Sequence, residues 1–462
     1  MKTSVSETSI AENSAAKAGV NSASPTSTFL PMVLIGILFF VFGFVTWLNG
    51  ALIPFLKIAC ELNELQAYMV TFVFYIAYFV MALPMSGLLE RYGYRAGLQI
   101  GLGVMALGAL LFIPAAFSHT FGMFLLALFV LGTGLTILQT AANPYIVVIG
   151  PRESAAMRIS CMGIVNKGAG ILVPLLFTAW VLTGMDAYSA DALAALDEGA
   201  RQEALQALSA RLVTPYLAMA GVLIALIFYV RLSPLPEPDL GQGASSDSES
   251  RAAQKVHWRE LGAHPKVILG ALTLFLYVGV EVIAGDSIGL YGRHLGLDNF
   301  GVLTSYTMAF MVLGYLLGIA TIPRLMSQKT ALAFSALCGI GLSFGIIFAD
   351  ESSMMLSGLL LVPLGIPAIP DPVLYLALLG FANALVWPAV WPLALDGLGR
   401  LTASASALLI MGIAGGALLP LLYGALVESG IGHQGAYGIL LPCYSVILFY
   451  ALIGHRLKSW FG

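Results

Sequence analysis

Three side chains place a potential charge inside long apolar stretches of this 462-residue chain: Lys167, Glu281 and Asp286. Lys167 follows Asn166 and precedes Gly168, while Glu281 and Asp286 share the run Gly279-Val280-Glu281-Val282-Ile283-Ala284-Gly285-Asp286. An ionisable group at bilayer depth costs at least about 2.5–3.5 kcal/mol, so it faces a cavity or a partner. The chemistry open to such groups is binding of a polar solute, ion pairing, or exchange of a bound cation. A lysine can instead extend its stem to the interface, but the depth of Lys167 and its neighbours favour a cavity. Glu281 and Asp286 are five residues apart, about 140° around a helix. They do not share a face, and by position Glu281 falls in the outer half of its helix and Asp286 near the outer rim.

The elements that must hold these groups are transmembrane helices. Apolar residues make up 59% and charged residues 10% of the chain, against about 25% charged in ordinary soluble domains. Apolar runs of membrane-spanning length recur, at 30–56, 66–89, 97–117, 121–149, 160–183, 213–232, 266–290, 301–322, 330–349, 373–395, 403–427 and 435–454. The expected fold is all-α and integral to the membrane, with twelve spans in two groups of six. With both ends in the cytoplasm, 16 of the 21 Lys and Arg residues fall on the cytoplasmic side, as the positive-inside rule requires. Lys57, Arg201, Arg211 and Arg293 fall outside.

Residues 1–29 are Ser/Ala/Thr-rich, lack the pattern of a signal peptide, and read as a disordered cytoplasmic tail. The first bundle covers 30–232, a Pro/Gly/Ser linker 233–265, the second bundle 266–454, and a short tail 455–462. Residues 184–212 have helical spacing and are expected on the outer surface, and the proline-broken run 354–369 as an outer loop or re-entrant segment. Met162-Gly163-Ile164 in span 5 echoes Met411-Gly412-Ile413 in span 11, and Asn143-Pro144 in span 4 echoes Trp387-Pro388 in span 10. Such echoes suggest duplication. The net charge of -3 points to no nucleic-acid partner. The four cysteines lack metal or disulfide spacing, no histidine lies at depth for hydrolytic chemistry, and no cofactor is called for. An enzyme is not expected.

Gly87-Leu88-Leu89-Glu90-Arg91-Tyr92-Gly93-Tyr94-Arg95, between spans 2 and 3, resembles the loop signature of the major facilitator superfamily. Gln139-Thr140-Ala141-Ala142-Asn143-Pro144-Tyr145, Tyr277 to Glu281, and Asn383 to Gly399 resemble the fucose:proton symporter family of sugar transporters. Asn166-Lys167 and the run ending at Asp286 are most similar to its bacterial branch for N-acetylglucosamine, glucose and galactose. The resemblance implies sugar uptake by cation symport across a bacterial inner membrane, by a chain acting as a monomer. Within that expectation Trp47, Asn49, Gln139, Asn143, Asn166, Lys167, Asn383 and Trp387 are the candidate substrate contacts, with Trp391 weaker. Sugars stack C–H faces on aromatic rings and bond their hydroxyls to amides and carboxylates. Glu281, Lys167 and Asp286 are the candidate coupling groups, and Gly87, Glu90, Arg91, Gly93 and Arg95 the conformational loop.

The resemblance is incomplete where coupling matters. The fucose permease pattern has an aspartate where this chain has Gly50 and a glutamate where it has Gln139. Neither replacement exchanges a proton near neutral pH, so sodium and proton coupling both stay open. A fucose-type permease for another monosaccharide, or a sugar sensor that does not transport, remain alternatives.

Overall fold

The computed structural model describes residues 25–148, 155–188, 190–233, 258–322, 325–398, 401–457 and 459–460. Most of the first tail and of the 233–265 linker lie outside the described residues. The helices are α1 (Pro25–Trp47), α2 (Asn49–Ala59), α3 (Glu64–Tyr92), α4 (Tyr94–Ser118), α5 (Phe121–Val148), α6 (Ala155–Trp180), α7 (Glu198–Ala210) and α8 (Val213–Leu232). They continue with α9 (Pro265–His294), α10 (Leu303–Thr321), α11 (Gln328–Phe348), α12 (Asp371–Asn383), α13 (Val386–Leu395), α14 (Thr402–Met411), α15 (Gly415–Leu426) and α16 (Leu440–Leu452).

Eleven apolar helical runs among the described residues are long enough to cross a membrane, the last covering Leu408–Arg456. At 49 residues and about 1.5 Å per residue, that run is more than twice the depth of a bilayer. It breaks where Gly430 (φ 91°) and Gly432 (φ 81°) take left-handed backbone, which only glycine adopts without strain. The two pieces run in opposite directions along α9. Gly412 lies against Ala271 and Gly416 against Val282, whereas Tyr437 meets Ser287 and Tyr450 meets Lys266. The run is therefore two antiparallel spans, and the total is twelve.

Span 1 is α1 with α2, interrupted at Leu48, and span 10 is α12 with α13, interrupted at Ala384 and Leu385. The 184–212 segment is helical at Glu198–Ala210, and the 354–369 run forms only a short helix, Met355–Leu360, and a 3-10 turn. The signature between spans 2 and 3 differs from the loop expected. Gly87, Glu90 and Arg91 continue α3, Arg95 already belongs to α4, and the chain turns at Gly93 alone (φ 83°). The side chain of Glu90 lies outside the described residues. Arg95 donates to the carbonyls of Arg231 and Ser233, each at 2.7 Å, tying the start of α4 to the end of α8.

Within each half, small residues allow backbones to approach. A Cβ at Gly108 would stand 2.7 Å from Leu131 N, and one at Gly134 would stand 2.5 Å from Met105 N, so α4 and α5 lie in close contact. Between halves, α2 packs on α9, α3 on α15, and α6 on α10. In span numbers these contacts are 1 with 7, 2 with 11, and 5 with 8. The last two exchange under the relation that maps span n onto n + 6, so the interface follows the pseudo-symmetry of the bundles. Pro265–His294 and Asp371–Leu395 are the most enclosed spans (72% buried) and Glu198–Leu232 the least (22%), which puts α9 at the centre and α8 towards lipid. We call the membrane face bearing the chain ends proximal and the opposite face distal.

Candidate functional site

Lys167 Nζ lies 2.5 Å from Glu281 Oε1, linking α6 of the first half to α9 of the second. The two side chains are 10% and 9% exposed. The ammonium also stands 4.2 Å from the centre of the Trp47 ring, a contact worth up to about 2 kcal/mol where water is excluded. Trp47 ends α1 and is almost wholly buried. Its indole fits between two glycines, since a Cβ at Gly170 would be 2.7 Å from Trp47 Cδ1 and one at Gly285 2.5 Å from Trp47 Cζ3. Those two glycines, one from each half, form the slot that holds the ring beneath the ammonium. A buried pair gains little net stability because desolvation offsets attraction, but loss of one partner is costly. The pair therefore acts chiefly to set how the halves meet.

A second inter-half contact lies nearby. Thr71 Oγ1 on α3 donates to Asp286 Oδ2 at 2.9 Å, and Asp286 is completely buried. The cause of the burial is tertiary, because α2 and α15 pack on α9. Asp286 Oδ1, Trp47 Nε1, Asn49 Nδ2, Asn383 Nδ2 and Trp391 Nε1 are buried without a protein partner. Each such atom costs about 1–3 kcal/mol, and a group of them calls for a polar ligand or water. Both orphaned amides sit at helix breaks, Asn49 at the first residue of α2 and Asn383 at the last of α12. Interrupted spans are where membrane transporters place polar contacts.

The remaining candidates separate into those that join this region and those that do not. Trp387 lies against Tyr277 (ring centres 6.3 Å apart, planes tilted 46°) and Trp391 (5.6 Å, 51°), and Tyr277 lies one turn before Glu281. Asn383 Oδ1 accepts from Tyr444 at 2.8 Å, while its amide nitrogen has no protein partner. Asn166 Nδ2 donates to Phe39 O at 3.4 Å, so that end of its amide serves the packing of α6 on α1. Gln139 is half-buried on α5. Asn143 is on the same helix, and its side chain lies outside the described residues. No described contact joins α5 to the Lys167 group. Sequence reasoning missed Tyr68, Thr71 and Tyr75, although Tyr68, Thr71, Tyr75 and Tyr78 recur at i, i+3, i+7 and i+10, the spacing of one helical face.

Gly50 has a structural cause. A Cβ there would collide with Thr304 Oγ1 and stand 2.8 Å from Gly285 O. An aspartate at this position cannot be accommodated while α2 packs on α9 and α10 as it does.

The Major Facilitator Superfamily model matches residues 35–420. The chain is 33% identical over 425 residues to a glucose/galactose transporter of Brucella abortus biovar 1 (strain 9-941), covering 91% of this chain and 93% of that one. It is 29% identical over 439 residues to an L-fucose-proton symporter of Haemophilus influenzae (strain ATCC 51907 / DSM 11121 / KW20 / Rd), covering 91% and 95%. Among solved structures, the transporter FucP in the outward conformation matches with a TM-score of 0.66 at 26% identity, covering 92% of this chain and 98% of that one. These matches over nearly the whole length, the twelve helices in two related bundles and the polar centre between them make the chain an integral membrane sugar transporter, not an enzyme, and it belongs to the fucose:proton symporter family of the major facilitator superfamily.

Proposed function

We propose that the chain takes up a hexose or an N-acetylhexosamine (N-acetylglucosamine, glucose or galactose) by cation symport with alternating access. The observation that carries this reading is the Lys167–Glu281 pair, which spans the two halves on the face of Trp47. A sugar entering beside it meets one aromatic face, one cation, one carboxylate and the unpartnered donors of Trp47, Asn49 and Asn383. Hydroxyls that bond to Glu281 or displace Lys167 weaken the bridge, and this frees residues 30–232 to rock against 266–454. Trp387 supplies a second aromatic surface, and Gln139 and Asn143 of α5 stay candidate substrate contacts by their place in the sequence. Glu281 and Lys167 are the coupling groups, with Asp286 beside them. The proximal face is cytoplasmic, in a bacterial inner membrane, and one chain suffices.

The name of the Brucella relative supports glucose and galactose, and that of the Haemophilus relative supports a proton. Gly50 and Gln139 remove the carboxylates expected of a fucose-type proton relay, which keeps sodium as the competing ion. Proteoliposomes holding the purified chain are given labelled N-acetylglucosamine, glucose, galactose or fucose under a sodium or a proton gradient, applied separately. Accumulation of one of the first three under a single gradient is expected. Accumulation of fucose alone would return the chain to the fucose type, and no gradient-dependent accumulation would overturn symport.

A further inference from the structure

The distal mouth holds a cluster of ionisable groups that the transport reading does not use. A cleft of about 190 Å³ there is lined by Lys57, Glu64, Leu290, Arg293, His294 and His433. Glu64 is its hub. A capping box between Asn63 and Gln66 fixes the start of α3 and so the position of Glu64, its first residue. The Glu64 carboxylate pairs with Lys57 at the end of span 1, in its own half, and its backbone N–H donates to Glu428 Oε2 of the other half at 3.1 Å. His433 Nε2, also from the other half, stands 3.5 Å from Glu64 Oε1.

The His433 ring is buried, its residue 6% exposed. The Tyr423 hydroxyl is 3.5 Å from the His433 carbonyl, to which it donates, and its oxygen lies 3.4 Å from His433 Nδ1. Tyr423 Oη and Glu64 Oε1 thus stand one beside each ring nitrogen, and the Glu64 carboxylate is the acceptor that the ring faces across the two halves. The other groups around it are Tyr291, 6.0 Å from the ring, and His294, 4.5 Å from it, both on α9. Tyr291 donates to Glu351 at 3.0 Å. Arg293 completes the cleft, over Phe300.

We propose that His433 and Glu64 form a proton-binding latch across the distal mouth, in which a protonated His433 ties α3 to the turn between α15 and α16. The Tyr68–Tyr423 edge contact at 5.4 Å joins α3 to α15, the helix that leads into that turn. Loss of the proton to water leaves Glu64 held by Lys57 in its own half and removes the charge-charge tie between halves. The mouth then opens more readily. This device is independent of the sugar and of the central Lys167–Glu281 pair.

The test uses the full chain in lipid nanodiscs, its native cysteines replaced and spin labels attached at Gln202→Cys on α7 and Asp298→Cys after α9, both exposed. No substrate is added. As the pH falls from about 8.5 to about 5.5, across the range in which imidazoles titrate, the short-distance population is expected to grow relative to the long by up to about fivefold. His433→Asn is expected to abolish that change, and His433→Lys to hold the short distance at every pH. His294→Asn should leave the pH dependence in place. A wild-type distribution that ignores pH, a His433→Asn chain that still responds, or a His294→Asn chain that no longer does, overturns the latch. Should His433→Asn fail to fold, the wild-type and His433→Lys distributions decide the matter alone.

Discussion

Replacing Lys167 by Met tests the central pair most directly. The substitution keeps the length of the stem and removes the ammonium that lies between Glu281 Oε1 (2.5 Å) and the Trp47 ring (4.2 Å). Glu281 is then a buried carboxylate with no cation, which costs about 3–5 kcal/mol. The lost ring contact adds up to about 2 kcal/mol. Glu281→Gln leaves the converse, a buried ammonium without its counter-charge. Combining the two removes both charges, so the double variant should recover much of what each single one loses. We expect a coupling energy above about 2 kcal/mol, whereas sites that do not interact add within about 0.3–0.5 kcal/mol. The assay is unfolding of the four proteins in one detergent, followed by uptake in proteoliposomes. Both single variants should insert and fail to accumulate sugar. Additive stabilities together with wild-type uptake by Lys167→Met would refute the pair as a bridge between halves.

Two further outcomes follow from the packing around Asp286 and Gly50. Asp286→Asn can keep the hydrogen bond from Thr71 (2.9 Å) and should fold while changing the cation dependence of uptake, whereas Asp286→Ala strands the buried Thr71 hydroxyl and should cost about 1–3 kcal/mol; equal stability of the two, by thermal unfolding, would remove the Thr71 bond from the account. Gly50→Asp should fail to give folded protein because its Cβ meets Thr304 and Gly285, while Gln139→Glu, on the half-buried face of α5, should fold normally; size-exclusion chromatography of both distinguishes steric exclusion from simple loss of a proton carrier.

The division between sequence and tertiary structure runs along a physical line. Span length and position are local properties, since a backbone in hydrocarbon must satisfy its own hydrogen bonds as helix. Apolar runs and the Lys/Arg bias therefore carry both the spans and an expected orientation. At the end of the chain the expected spans 403–427 and 435–454 are joined in one helical run, Leu408–Arg456, and two glycines with positive φ mark the break between them. The signature at Gly87 to Arg95 marks the family in sequence but is mostly helix in space, because a single residue, Gly93, makes the turn.

The sequence by itself determined that Lys167, Glu281 and Asp286 need partners, because an isolated charge in lipid is too costly to keep. It could not name those partners. Lys167 finds Glu281 across 114 residues and Asp286 finds Thr71 across 215, and these matches depend on how closely the helices approach. That approach is decided by Gly170 and Gly285 making room for Trp47 and by Gly50 lying flat on α9 and α10. Hydropathy is indifferent to such choices. Only the packed structure shows which helix faces meet, and with them which charges are neutralised, which donors stay unpaired, and which histidine faces a carboxylate in the other half.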